Sequence, residues 1–191
     1  MLKVIGTTSF TGETIVIDPY VLITIMYDHP LGKYVFWYAQ DIIDSITSKN
    51  GIVTSRMNSY IEVWLHEDSG ALQELKVILV DEKRIEVTDG QSHTSPLSAE
   101  QGVPLCDVSW ASRAGDVRKE NLAARMEIGK DNVSLIFGEA KLVKRYLAGS
   151  RVQYGVDEND YLCRIELNHI SPVEMNDLRK YLAWKLGTQP A

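Results

Sequence analysis

The chain has 191 residues, of which 45% are apolar and 24% charged, and 20 Lys+Arg against 26 Asp+Glu leave a net charge of −6. Its 13 Gly and 6 Pro are too few for a collagen-like or low-complexity chain, and its 4 Trp and 9 Tyr argue against disorder. Two cysteines, Cys106 and Cys163, make no disulfide framework and fit a reducing cytosol, with both thiols packed as small apolar groups. The start of the chain reads as a strand rather than a leader. The longest apolar runs, 20–27 and 34–39, fall far below the roughly 20 residues of a membrane-crossing helix. The expectation is a cytoplasmic protein with no membrane span.

Charge is uneven. Residues 1–100 hold 7 basic and 14 acidic groups, a net of −7, and residues 101–191 hold 13 and 12, a net of +1. Nucleic-acid binding by the whole chain is disfavoured by that balance. Local basic clusters remain at Arg113, Arg118 and Lys119 and at Lys141, Lys144 and Arg145, readable as solvated surface or as a groove for an anion.

Segments 3–10, 13–18 and 20–27 are rich in Val, Ile, Thr and Tyr and are punctuated by Thr11-Gly12 and Asp18-Pro19. They predict three antiparallel strands in a meander, followed by a turn at 28–32. In 33–48, Ala39, Ile42, Ile43 and Ile46 stand at i, i+3, i+4 and i+7, and Asn50-Gly51 supplies a stop; the spacing predicts a helix. The aromatic run 34–38 reads as its first turns or as a short strand, and as core. Short strands follow at 52–56, 60–66, 74–80 and 84–88. In 60–66, Ile61, Val63 and Leu65 alternate with Glu62, Trp64 and His66. Residues 89–102 are the most loop-like stretch.

A strand is expected from 103, and a turn at 111–115. Residues 116–128 partly fit helical spacing through Val117, Leu122, Ala123 and Met126. Residues 133–137 read as a strand, 141–154 more as strand than helix, and 161–169 as a firm strand ending in a partly buried His169. At the end, Ser171 at N-cap, Pro172 at N1 and Glu174 at N3 form a capping box, and Ile170 with Met175 a hydrophobic staple. Leu178, Tyr181, Leu182 and Leu186 make one stripe, predicting a helix over 172–186 closed by Gly187. The fold class expected is α+β, mainly antiparallel β. An acidic β-rich module with one helix would span 1–82, and a barrel-like half with the C-terminal helix 83–191, unless the two are fused into one domain.

Catalytic motifs are scarce. His29, His66, His93 and His169 are scattered, neither cysteine has a partner at zinc-site spacing, and no metal is expected. Nucleophile elbows and phosphate loops are missing. Asp131, a strand, then Glu139-Ala140-Lys141 matches the carboxylate-and-lysine pattern of Mg²⁺-dependent nucleases, in which carboxylates hold the ion and the lysine steadies developing charge. Glu74-Leu75-Lys76 and Asp81-Glu82-Lys83 match the acidic-x-Lys triplet equally well.

Two segments carry a family resemblance. Residues 161–182, Tyr-Leu-Cys-Arg-Ile-Glu-Leu-Asn-His-Ile-Ser-Pro-Val-Glu-Met-Asn-Asp-Leu-Arg-Lys-Tyr-Leu, resemble the last strand, Ser-Pro cap and helix that end PilZ domains. Asp107-Val108-Ser109-Trp110-Ala111-Ser112 is similar to that family's Asp/Asn-x-Ser-x-x-Gly motif, with Ser112 where the family has Gly. Arg84 stands where its Arg-x-x-x-Arg motif would fall, with Val80 and Thr88 four residues to either side. The resemblance covers about residues 83–187 and implies a β-barrel that binds cyclic di-GMP. Arg84 would form a fork on the phosphates or guanine edges, and Asp107, Ser109 and Ser112 would hold the other side.

The reading that follows is a non-catalytic regulatory protein acting through a protein partner, with cyclic di-GMP as the implied ligand and no other cofactor. The alternatives are an immunity or anti-defence inhibitor that covers a basic partner with an acidic surface, and the Mg²⁺-dependent nuclease.

Overall fold

The structure, a computed structural model, describes residues 1–18, 21–28, 33–47, 53–88, 99–139 and 142–185. In chain order the first strands are β1 (Val4–Thr8), β2 (Glu13–Val16), β3 (Ile23–Tyr27), β4 (Tyr34–Thr47), β5 (Val53–His66) and β6 (Leu72–Leu79). A 3-10 turn at Glu82–Arg84 leads to β7 (Ile85–Val87), β8 (Ala99–Gln101), β9 (Val103–Cys106), β10 (Val117–Glu120), β11 (Ala124–Ile128) and β12 (Val133–Phe137). Then come β13 (Arg145–Ala148), β14 (Val152–Val156), β15 (Leu162–Leu167) and the helix α1 (Pro172–Lys185).

Two large sheets pack face to face. A six-stranded sheet runs β10-β4-β5-β6-β3-β2, a seven-stranded sheet runs β7-β11-β12-β15-β14-β13-β8, and β1 and β9 form a two-stranded ribbon. Ile23, Ile25, Leu75 and Val77 from the first sheet meet Val133, Leu135, Ile165 and Leu167 from the second around one small apolar gap. Trp37 on β4 lies edge-on to Phe137 on β12, with ring centroids 6.0 Å apart. Burying these aliphatic and aromatic side chains is the main driving force for the layer. Mainly antiparallel β with a C-terminal helix therefore holds, but among the described residues no sheet closes on itself; in place of the expected barrel stands a two-layer arrangement of mixed sheets. Val103–Phe137 residues and the first strands share one buried cluster, and strands on either side of residue 82 pair with each other, β1 with β9 and β4 with β10.

Three local expectations are corrected. Residues 34–47 are a strand, not a helix. The β4–β5 register slips between Ile43 and Ile46, so that three residues of β4 match two of β5. That bulge produces a three-residue step between apolar positions, which imitates a helical period in a segment otherwise rich in strand formers. Residues 117–128 are likewise two strands. The decisive spacing is Ala124, Met126 and Ile128, buried at every second residue, with Arg125 and Glu127 between them. The opening meander is also altered: β2 pairs with β3, but β1 crosses to β9 and also touches β15 through a bridge between Lys3 and Tyr161.

The strand at 133–137, the strands within 141–154 and the strand at 161–169 are present. His169 is exposed rather than partly buried, with φ of 55°. Its carbonyl accepts from the Arg151 guanidinium at 3.0 Å. The β5–β6 turn needs glycine: Gly70 has φ of 71°, and a Cβ there would collide with the Cys106 carbonyl, whose own N–H donates to the Gly70 carbonyl at 2.8 Å. Of the 89–102 stretch expected to be a loop, Ala99–Gln101 is instead the strand β8, which pairs with β13, and 89–98 lies outside the described residues, as do Leu186 and Gly187.

The helix forms as the capping box requires. Ser171 N–H donates to Glu174 Oε2 at 2.7 Å, and Glu174 N–H donates to Ser171 Oγ at 3.3 Å. Ile170 and Met175 are both buried, and Leu178, Tyr181 and Leu182 join the core. Tyr181 and Leu182 meet Leu22, Val80 and Ile85, so α1 seals one margin of the two layers.

A polar latch crosses the interior. The Tyr27 and Tyr154 hydroxyls are 2.6 Å apart between the sheets. Tyr27 OH also donates to Glu13 Oε2 at 3.2 Å, and Glu13 accepts the N–H groups of Ser150 at 3.0 Å and Arg151 at 2.7 Å. Burial pushes both phenols well above their ordinary range, so both stay neutral. Tyr27→Phe strands the buried Tyr154 hydroxyl and should cost about 1–3 kcal/mol. Tyr154→Phe leaves Tyr27 bonded to Glu13 and should cost less. Urea unfolding of the two variants checks that order, and equal losses would refute it.

Burial pushes the Glu174 carboxyl up, but Arg151 and the Ser171 donors outweigh it and hold the group below its ordinary 4.5. A folded value below the unfolded one gives stability that is present above about pH 4.5 and lost as pH falls through the folded value. Glu174→Gln should therefore flatten the fall in Tm between about pH 5 and about pH 3 relative to the parent chain.

Candidate functional site

The residues singled out by the PilZ resemblance fall in two places. Arg84 ends the 3-10 turn before β7, an edge strand of the seven-stranded sheet. Asp107, Ser109 and Ser112 lie in the loop after β9, whose strand pairs with β1 instead. In that loop Asp107 Oδ1 accepts Ser109 N–H at 2.9 Å, and Trp110 Nε1–H donates to the Asp107 carbonyl at 2.9 Å. Asp116 Oδ2 accepts Ser112 N–H at 2.7 Å, Ser112 Oγ–H at 2.9 Å and Arg113 N–H at 3.1 Å. Ser109 holds the Asp107 carboxyl below its ordinary range, with Lys3 and Arg118 adding smaller pulls. Ser112 does the same for Asp116. The motif's polar groups thus fold the loop on itself, as short Asx-type turns do.

The nuclease pattern is pulled apart. Asp131 precedes β12 and Glu139 follows it, so the five residues of an extended strand separate them. At about 3.3 Å per residue that is too far for one ion to bridge. Lys141 lies outside the described residues, as do His29 and His93. Among the described residues no group of three or more His, Cys, Asp and Glu could hold a metal ion. His66 Nδ1 accepts the N–H groups of Asp68 and Ser69 in the β5–β6 turn. Cys106 and Cys163 are buried thiols, the latter donating to the Gly155 carbonyl at 3.4 Å, and burial pushes the Cys106 thiol well above its ordinary range, which suits a packed apolar group better than a nucleophile. Among the described residues no helix is long and apolar enough to cross a membrane.

The two outer faces of the sheets differ. On the seven-stranded sheet, Arg164 donates to Ser134 Oγ at 3.0 Å and pairs with Glu127 at 3.3 Å and with Glu166. Glu166 is fully buried and also accepts from Tyr146 OH at 3.1 Å. Burial, then the Glu166 charge, raises the Tyr146 phenol. These bonds tie β11, β12, β13 and β15 together.

The six-stranded sheet instead turns aromatic groups outward. Val35, Trp37, Ile61, Val63, Leu65, Leu75 and Val77 are buried, so their neighbours Tyr34, Phe36, Tyr60, Glu62, Trp64, Glu74 and Lys76 take the other face, half-buried. Strand register aligns them. Thr14, Met26, Glu74, Trp64, Phe36 and Val117 form one row across all six strands. In the next row Thr24, Lys76 and Glu62 stand side by side.

Trp64 is the centre of this face. Phe36 meets it edge-on at 4.5 Å between centroids, Tyr34 lies 6.0 Å away, and the Lys76 ammonium sits 4.4 Å from its ring centroid. Lys76 Nζ is 3.1 Å from Glu74 Oε1. Glu62 accepts from Tyr60 OH at 2.9 Å and from Trp64 Nε1–H at 3.5 Å. Sequence reading had Trp64 and Glu62 on the polar side of their strand but took the 34–38 aromatics for core. The signal for the row was the alternation itself: Tyr34 and Phe36 share a parity that Val35 and Trp37 do not.

Asp107→Ala should free the Ser109 N–H and speed its amide hydrogen exchange; unchanged protection would mean the carboxylate does not hold the turn. No protein-family model matches the sequence, and no curated protein matches it either.

Proposed function

We propose that the protein is a non-catalytic binding protein acting through protein–protein contacts, with its partner seated on the outer face of the six-stranded sheet. The row Met26, Trp64, Phe36 and Val117 carries this reading, since it sets apolar and aromatic side chains outside the core on four of the six strands. Five strand spacings of about 4.8 Å make a broad face roughly 24 Å wide. That shape suits a protein surface better than a small ligand, which wants a concave pocket. Half-buried Trp and Tyr such as Trp64 and Tyr34 are the residue types that anchor such interfaces.

Charge narrows the partner. Glu62 and Glu74 flank Trp64 and stand beside the single ammonium of Lys76. Such a face attracts a basic protein and repels phosphate backbones. This favours the inhibitor or immunity form of the reading, an acidic surface covering a basic partner, over gating by cyclic di-GMP.

Calorimetric titration of the full chain with a nona-arginine peptide tests the proposal. Binding should weaken as salt rises and fall at least about tenfold in Trp64→Ala, with circular dichroism confirming that the variant is folded. Binding that is indifferent to salt, or that survives Trp64→Ala undiminished, would overturn it.

A further inference from the structure

We propose that Trp64 is the seat for an arginine side chain of the partner, and that Lys76 occupies this seat in the free protein and is displaced on binding. The inference rests on the reading of the outer face given above and specifies what that face selects.

The seat is built from two neighbouring rows. Trp64 on β5 lies opposite Glu74 on β6, and Glu62 lies opposite Lys76. The Trp64 ring is the floor, and the Lys76 ammonium stands over it at 4.4 Å, within the range of a cation–π contact. Phe36 braces the ring edge-on, and Tyr34 stands beside it. The Trp64 indole N–H is directed to Glu62, which also holds the Tyr60 hydroxyl. These bonds fix the orientation of the ring, so the platform is formed before any partner arrives.

The charges do not balance at the seat. Two carboxylates, Glu62 and Glu74, face the one ammonium of Lys76. The donors to Glu62 from Tyr60 and Trp64 are neutral groups. A second cation is therefore attracted to the site that the first one fills. Lys76 is a compact ammonium on a flexible stem, and its side chain is 25% exposed, so it can swing into water without unfolding anything. A guanidinium is the better occupant. It is planar, stacks flat on an indole and can fork onto a carboxylate, none of which an ammonium does. Lys76 thus works as an internal competitor that keeps the aromatic face covered and sets a threshold for partners that lack a suitably placed arginine.

Four full-length chains, the parent, Trp64→Ala, Lys76→Gln and Lys83→Gln, titrated with nona-arginine and nona-lysine, test the idea. Lys83 lies in the 3-10 turn before β7, so its variant repeats the charge change away from Trp64. The expected result is arginine peptide binding about threefold or more tighter in Lys76→Gln than in Lys83→Gln, and the parent preferring arginine to lysine peptide. In the parent, the Lys76 side-chain protons, shifted upfield by the Trp64 ring, should move back toward ordinary values as the arginine peptide is added. If the parent binds in a salt-sensitive, Trp64-dependent way but Lys76→Gln gains nothing over Lys83→Gln, the displacement is wrong and the docking face stands. If the parent shows no Trp64-dependent binding, the docking face itself falls.

Discussion

Strand alternation governs this protein. Once Ile23, Ile25, Val35, Trp37, Ile61, Val63, Leu65, Leu75 and Val77 are committed to the space between the sheets, every intervening side chain is committed to the outside. A slip of one residue in β5 would bury Glu62 and Trp64 and expose Ile61, Val63 and Leu65. The core therefore sets not only stability but also the composition and order of the outer face, because the row that crosses six strands exists only in this register.

The two outer faces show two ways of finishing a sheet. The seven-stranded one is cross-linked: Arg164, Glu166, Glu127, Ser134 and Tyr146 bond to one another across four strands, and Glu166 gives up all its exposure to do so, with its Oε2 left without a hydrogen-bond donor. A buried carboxylate is tolerated only with such partners, and taking one away would leave an uncompensated charge. The six-stranded face has fewer internal obligations. Its carboxylates accept from neutral donors or share one lysine, and its aromatic rings keep part of their surface in water. The difference separates a face used for cohesion from one left open to association.

Much of this architecture is legible in the sequence where local signals and tertiary demands agree. The Ser171–Glu174 box, the Ile170–Met175 staple and the stripe through Leu178 and Leu182 make α1 readable residue by residue, the alternation in 60–66 does the same for the second half of β5, and the continuous apolar character of 133–137 marks β12, which is buried throughout. It fails where a bulge changes the period, as between Ile43 and Ile46, and where a short polar strand such as β10 exists only because β4 offers an edge to pair with. Glu166 is a third kind of miss: it stands two residues from Arg164 on the same side of β15, but its burial depends on Arg164 and Tyr146, which no spacing rule brings together. The candidate site was half legible for the same reason. Trp64 could be placed on an outer face from β5 alone, whereas Phe36, Glu74 and Lys76 join it only through register.

The β1–β9 ribbon joins residues about a hundred positions apart, and β1 is also clasped by the segment entering β15, where Leu162 N–H donates to the Leu2 carbonyl. On a ribosome the first strand therefore has no partner until the chain has grown past residue 106, and its second clasp waits for residue 162. At roughly 5–20 residues per second, that delay lasts several seconds or more. Throughout it, the strands of the acidic half exist without the layer that covers their apolar side. The heavy negative charge of residues 1–100 would then serve the nascent chain as well as the finished one, by keeping unfinished copies apart through mutual repulsion.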